Sequence, residues 1–410
     1  MIMIVIFNSV GRLLSSKTYR DVVKWYGCVV VKSWPVAVHI LILQDILLKW
    51  KKEQLQVTDV KSEIIKSIYD HISKRYDATE YPALRRQIDD WQECKPLQDM
   101  HLLDGTPLFT NTLVKFLPLL AGGAELTVAV SDVIPYDAAL LPLLEAWGVP
   151  VVKNATAGDY DCILDCGGAH ARLTPKLGVV ELTRSGYYHY EKSQLPVILV
   201  DDSRVKTIET CLGTGDGFMR GMERLGYVDW KGKNVVIFGY GKVGRGVAYY
   251  CHEKGASVKA VDRAEVPVAE YVTLIDKNDR KAIQAAVQEA WCVVTATGVR
   301  HALHGNGAAE ILRDSDQLVA AIGIEDEWGD ELPMERRLCG GTAVNFLLDE
   351  PTRLRYIDAT MALSNAAVLE LKHGRIPAGV HRILPSVEAY YWQAVEDGGL
   401  ISNELKGAGL

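Results

Sequence analysis

Beyond residue 120 the chain is dominated by short apolar runs set between polar turns, a pattern that predicts strands and helices in alternation. Residues 125–130 read as a strand and 138–147 as a helix ended by Gly148. Segments 150–152, 162–164, 178–182 and 196–200 follow as short buried strands. Runs without polar alternation suit parallel strands covered by helices on both faces. A second series begins at Asn234, with a strand over 235–238, a helix over 243–254 and a strand over 257–261. Val293 and Val294 then lead into Thr295, and residues 318–322 run into Gly323. Ahead of both series, residues 57–91 carry helical spacing through Ile64, Ile65, Ile68, Tyr69 and Ile72. Behind them, 359–372 and 386–394 read as amphipathic helices. No internal repeat of fixed period and no low-complexity tract is present.

The first fifty residues differ in character. Residues 1–7 are apolar but too short for a signal-peptide core, and no basic segment precedes them. The run over 29–48 is broken by Lys32, Pro35, His39 and Asp45, so it lacks the roughly 20 clean apolar residues of a membrane span. Residues 1–55 are therefore read as an extension, with contact to a partner or a membrane surface as the alternative. The chain is expected in the cytoplasm.

Composition narrows the class. A length of 410 residues is that of two or three domains. With 48% apolar and 24% charged residues, wholesale disorder and collagen-like structure are excluded. The net charge of -7, with no long basic block, leaves a nucleic-acid partner without an electrostatic footprint. The eight cysteines form no CxxC pair, and no histidine has metal-ligand spacing, so reduced thiols and no metal are expected.

One motif carries most of the chemistry. Gly239, Gly241 and Gly244 form a GxGxxG turn between a predicted strand and a predicted helix, and Asp262 closes the next strand 23 residues after Gly239. Gly239 permits the tight turn, Gly241 lets backbone approach a pyrophosphate, and Gly244 lets the helix pack on the strand. The diphosphate would sit on the helix N-terminus at Lys242 and Val243. Asp262 would accept hydrogen bonds from ribose hydroxyls and so favour NAD, a preference that Arg263 weakens slightly. Thr295, Thr297, Gly298, Ile322 and Gly323 fall at later strand ends, where a nicotinamide ribose would lie. The other reading is a nucleotide-type fold without its ligand.

Residues 196–262 resemble S-adenosylhomocysteine hydrolase. Pro196-Val-Ile-Leu-Val-Asp-Asp-Ser203 followed by Lys206 is similar to that family's PxxxVNDSxxK, and the turn at 239–246 to its GYGxVGxG. Upstream, 164–168 resembles LDDGGD and 178–186 resembles GVVEETTTG; downstream, 293–298 and 321–323 fall at VTTTG and NIG. The resemblance implies an α/β fold with a Rossmann NAD-binding domain, 207–349, inserted in a second parallel α/β substrate domain. The first part of that domain is 56–206, and C-terminal helices of 350–410 return to it. It further implies tightly held NAD, a small-molecule substrate, a homo-oligomer (dimer or tetramer), Thr183 beside the cofactor and Lys206 in proton transfer.

The chain departs from the family at the acids. Cys166 stands for the aspartate of LDDGGD and Leu182 for the second glutamate of EETTTG. Thr210 and Cys211 replace the aspartate and asparagine after the lysine, and Ile324 the histidine after NIG. Asp358 falls nearest another histidine, and the C-terminal arm differs. A rebuilt, more apolar pocket is expected, with Cys166, Thr210 and Cys211 lining it.

The candidate catalytic set is Lys206, Asp202, Glu181 and Cys211. Asp201, Asp202 and Ser203 could equally cap a helix, Glu181 and Asp165 could be surface acids, and Cys211 has no obvious activating partner. His101, His170 and His189 are further candidates for a proton shuttle. The activity expected is hydride transfer at a hydroxyl- or amine-bearing carbon of a small polar metabolite, with inefficient S-adenosylhomocysteine hydrolysis. The alternatives are a true adenosylhomocysteinase with relocated acids and a non-catalytic NAD-binding regulator.

Overall fold

The computed structural model describes residues 60–323 and 325–410, so the extension over 1–55 and the position of Ile324 lie outside the described residues. Strands β1 (His101–Asp104), β2 (Glu125–Val130), β3 (Val151–Lys153), β4 (Cys162–Asp165), β5 (Gly178–Glu181) and β6 (Pro196–Leu199) belong to one sheet. Strands β7 (Asn234–Phe238), β8 (Ser257–Asp262), β9 (Val272–Asp276), β10 (Cys292–Thr295) and β11 (Leu318–Ala321) form a second. A last strand, β12 (Gly379–Arg382), returns to the first sheet and pairs in parallel with β6. The orders are β12-β6-β5-β4-β1-β2-β3 and β11-β10-β7-β8-β9, with every pairing between these strands parallel.

Both sheets bury two faces, which is why their strands read as unbroken apolar runs. Leu102, Leu164, Val180 and Ile198 enter one core of the first sheet, while their neighbours Leu103, Ile163, Val179 and Val197 enter the opposite one. In the second sheet Val235, Ile237 and Val294 face one way and Val236, Phe238 and Val293 the other. Each such side chain stabilises the fold by about 1.5–3 kcal/mol relative to exposure.

The sequence-predicted strands are present within a residue or two. The helical segment 57–91 divides into α1 (residues 60–72) and α2 (Pro82–Cys94), because Pro82 starts a new helix after an irregular connection. The segment 138–147 is a 3₁₀ turn (Ala138–Leu140) followed by a short helix (Leu141–Ala146). The C-terminal region contributes β12 as well as helices, so its return to the first sheet is by strand pairing. Asp358, on α3 (Leu354–His373), is fully buried and accepts the Ala83 and Leu84 amides at 2.8 and 2.9 Å. It caps α2, and its burial pushes the carboxyl up to about 7. No helix among the described residues is long and apolar enough to cross a membrane.

Strand order places the functional crevices. In the first sheet the chain runs outward through β1, β2 and β3, then restarts at β4 on the other side of β1. In the second sheet it restarts at β10 on the other side of β7. At such switch points adjacent loops diverge and leave a crevice at the carboxyl ends of the strands.

Candidate active site

The loops after β1, β4, β5 and β6 surround a cavity of about 460 Å³. Its apolar wall includes Phe109, Ile134, Leu182, Phe346, Ile357 and Met361, and its polar groups include Thr106, Lys115, Cys166, Thr183, Lys206 and Glu209. The wall at residues 166–168 is held from behind. Gly167 and Gly168 both adopt left-handed backbone, φ +65° and +66°, which a Gly-Gly pair tolerates without strain. Their amides donate to Glu181 at 3.0 and 3.1 Å, and Glu181 also accepts the Thr183 amide and hydroxyl at 2.8 and 2.7 Å. Burial and the neighbouring Asp165 carboxylate push Glu181 up to about 7, against those hydrogen bonds. Asp165 in turn lies 2.9 Å from His170 Nδ1 and accepts the Tyr190 hydroxyl at 2.5 Å.

Lys206 sits in the helical turn α4 (Arg204–Thr207), whose start is capped by Ser203 accepting the Lys206 amide at 3.0 Å. Its side chain is only 4% exposed, and Nζ donates to Glu209 Oε1 at 2.7 Å. Glu209 Oε2 is buried without a partner. A π-helical turn, Ile208–Gly213, follows directly and leads into α5 (Thr214–Arg224). Such turns are frequent at functional sites. Lys115, which also lines the cavity, is ion-paired to Asp104, both only 1% exposed.

The glycine turn fits a dinucleotide. Gly239 has φ +93°, and a Cβ there would lie 2.6 Å from the Ala296 carbonyl oxygen. A Cβ on Gly244 would lie 1.9 Å from the Gly239 carbonyl oxygen, so helix α6 (Lys242–Glu253) starts in direct backbone contact with the turn. Gly241 differs: a Cβ there meets nothing within 4 Å, so this face of the turn is open at the helix N-terminus, where a phosphate would bind. Asp262 lies at the end of β8 beside this turn and accepts the Tyr240 amide at 2.6 Å. Arg263, mostly exposed, lies between two acids, 3.9 Å from Asp262 and 3.6 Å from Glu265. Gly241→Ala is therefore expected to leave the thermal midpoint of the nucleotide-free protein unchanged. Its NAD dissociation constant should rise about tenfold or more, the equivalent of one charge-assisted hydrogen bond. Calorimetric titration beside a melt checks both halves.

A second cavity, about 290 Å³, opens at the ends of β10 and β11 and is lined by Thr295, Gly323, Glu327, Arg337 and Phe346. Glu327 is buried there and accepts the Thr297 amide and hydroxyl at 3.1 and 2.7 Å and the Gly298 amide at 3.0 Å. It fixes the Thr297–Gly298 turn while burial raises its carboxyl. Ile322 is buried, its amide bound to the Thr295 carbonyl at 3.1 Å.

Residues 210–336 match the family described as S-adenosyl-L-homocysteine hydrolase, NAD binding domain. The S-inosyl-L-homocysteine hydrolase of Methanopyrus kandleri is 26% identical over 326 residues, covering 70% of this chain and 76% of its own length. The adenosylhomocysteinase of Thermoplasma acidophilum is 24% identical over 274 residues, covering 59% and 64%. Residues 210–336 thus match the NAD-binding domain of the S-adenosylhomocysteine hydrolase family, and the chain is similar to members of that family at 24–26% identity. Among solved structures, a dipicolinate synthase from Bacillus halodurans gives a TM-score of 0.47 at 14% identity, covering 67% of this chain and 99% of its own. NAD is the cofactor of the matched domain family, and the open face of Gly241, the helix start at Lys242 and Val243, and Asp262 form a site that fits it.

Within this family framework the expected site residues separate. Lys206, Cys166, Leu182 and Thr183 line the larger cavity, and Thr295 and Gly323 the smaller. Cys211 does not line it: its backbone packs against α6 and its buried thiol is pushed up to about 12. Thr210 is also turned away, its hydroxyl donating to the Lys206 carbonyl at 3.0 Å. Asp202 pairs with Arg184 and Arg382 outside the cavity wall, and Glu181 supports the wall from behind. Lys242 reaches the Asp201 carbonyl oxygen at 2.9 Å. His101, His170 and His189 are not among the residues lining the cavity. Sequence reasoning missed Glu209, Lys115, Asp104 and Glu327. The three-residue spacing of Lys206 and Glu209 on one helix was a usable signal for the first.

Proposed function

We propose that the chain is an NAD-dependent enzyme that transfers hydride at a hydroxyl-bearing carbon of a small polar metabolite, with Lys206 and Glu209 as its proton-handling pair. The observation that carries this reading is the buried Lys206–Glu209 contact of 2.7 Å on the wall of the 460 Å³ cavity. NAD, when bound, supplies the hydride acceptor. As hydride leaves a carbinol, the hydroxyl must lose its proton. Lys206 Nζ donates to Glu209 Oε1 at 2.7 Å, so a proton can pass between them as one arrives from the hydroxyl. In the forward step Lys206 passes a proton to Glu209 as it takes the hydroxyl proton, and the reverse relay restores it. Leu182 and Ile134 exclude water from the exchange.

Hydrolysis of a nucleosyl-homocysteine, as in the names of the relatives, is the second reading. It is favoured by Glu209, an acid one position before the one the family motif leads to expect. The test is to denature purified protein, identify released nucleotide by mass spectrometry, and follow reduced-nicotinamide absorbance on adding S-adenosylhomocysteine, S-inosylhomocysteine, nucleosides and hydroxy acids. Bound NAD with transient or net reduction on one ligand is expected. Absence of bound or added NAD binding overturns both readings, and rapid release of homocysteine selects the second.

A further inference from the structure

The Lys206–Glu209 pair is not the only charged pair at the cavity. Lys115 lies on its wall and is held by Asp104, whose other oxygen accepts the Thr106 amide at 3.0 Å and hydroxyl at 2.5 Å. Lys115 occupies a helix, Thr112–Ala121, that is otherwise packed with apolar side chains, and it is itself 1% exposed. An ammonium has three donors, and Asp104 is the acceptor that holds it from behind. Lys115, Cys166 and Lys206 line one cavity, so the two pairs address one space.

We propose that the Asp104–Lys115 pair is a second polar anchor of this cavity and that, with Lys206–Glu209, it restricts the cavity to an uncharged, hydroxyl-bearing moiety. The inference rests on the cavity being the substrate site. Among the described residues lining it, the charged side chains are Lys115, Lys206 and Glu209, and Asp104 behind the wall balances the first. The sum is zero. A carboxylate or phosphate entering this apolar space loses its hydration and finds each ammonium already matched, a poor exchange for a buried ion. A neutral polyol meets complementary partners. Lys115 donates to an oxygen or ring nitrogen, and the unpartnered Glu209 Oε2 accepts a hydroxyl. Hydroxy acids and sugar phosphates are thereby rejected, whereas free sugars and nucleosides are admitted.

The test compares matched neutral and acidic probes on the full-length, NAD-loaded protein by calorimetry and thermal shift: ribose with ribonate, and adenosine with adenosine-5′-carboxylate. In at least one pair the neutral member should bind tenfold or more tighter than its acid. Glu209→Gln, which removes one negative charge, should narrow that ratio threefold or more. Lys115→Met combined with Asp104→Asn keeps the balance and the acceptor for the Thr106 amide, and should weaken the neutral probe at least tenfold. Equal or tighter binding of the acids, binding by neither neutral probe, or an unchanged affinity in the folded double variant overturns the proposal. If a variant does not fold, the wild-type ratio decides alone. These binding measurements need no turnover, so failure of hydride transfer and failure of charge selection are told apart.

Discussion

Lys206→Met is expected to lower the rate of hydride transfer by about 10²–10⁴-fold, the contribution of a positioned general acid–base group. Bound NAD should remain at the wild-type level. The side chain is nearly fully buried, and its polar contact is with Glu209 at 2.7 Å. Methionine fills the same volume and removes the proton carrier. Glu209, 15% exposed, can replace its lost partner with water, so the fold should persist. The measurement is single-turnover reduction of the bound nucleotide, with nucleotide content determined on the same preparation. A variant that keeps its NAD and reduces it within tenfold of the wild-type rate would remove Lys206 from the mechanism. Unchanged ligand binding with no reduction in either protein would point instead to the regulatory reading.

Gly246→Ala is expected to destabilise the protein by ~2 kcal/mol or more, in the range of an overpacked core, and to slow hydride transfer together with it. A Cβ on Gly246 would lie 1.8 Å from the carbonyl oxygen of Cys211 and 2.5 Å from its carbonyl carbon. The approach is reciprocal, since a Cβ on Gly215 would lie 2.6 Å from the Gly246 carbonyl. Backbone atoms cannot swing aside as a side chain does, so α6 and the π-helical turn must separate. That turn includes Glu209, and α6 begins at the glycine turn. One methyl group would therefore disturb both halves of the site. A lowered thermal midpoint by calorimetry, with a reduced rate at a temperature where the variant is still folded, is the expected pair of results. A midpoint within a degree of wild type would mean the two elements are not packed as described. The contrast with Gly241→Ala, which should weaken NAD without changing the midpoint, separates packing from ligand approach.

Much of the nucleotide site was legible because its demands are local. The turn over 239–246, its flanking strand and helix, and the acid at Asp262 lie within a short stretch whose every residue type has a steric or electrostatic reason. The buried strands β4, β5, β7 and β10 were legible for a similar reason: a strand covered on both faces must be apolar throughout. Strands β1 and β12 were not. His101–Asp104 has two apolar residues between polar ends, and it is central only because β2 and β4 flank it. Gly379–Arg382 is half polar because it is an edge strand, with one neighbour to cover it.

The candidate acids show the same divide. Glu181 and Asp202 carried the right charge at the right strand ends, yet Glu181 is consumed by the amides of Gly167 and Gly168, and Asp202 by Arg184. Cys211 was expected to line the pocket from the resemblance, but its backbone is pressed against Gly246. By itself the sequence determined the α/β class and the NAD turn, since each rests on a periodicity or a spacing shorter than one supersecondary unit; Lys206 was singled out only by its place in a motif resembling the family's. Which acid meets Lys206, that Lys115 joins it in lining one cavity, and that Glu327 holds the turn after β10 were decided only in three dimensions. Those partnerships depend on strand order and on the close crossing of two helices, and neither leaves a periodic trace along the chain.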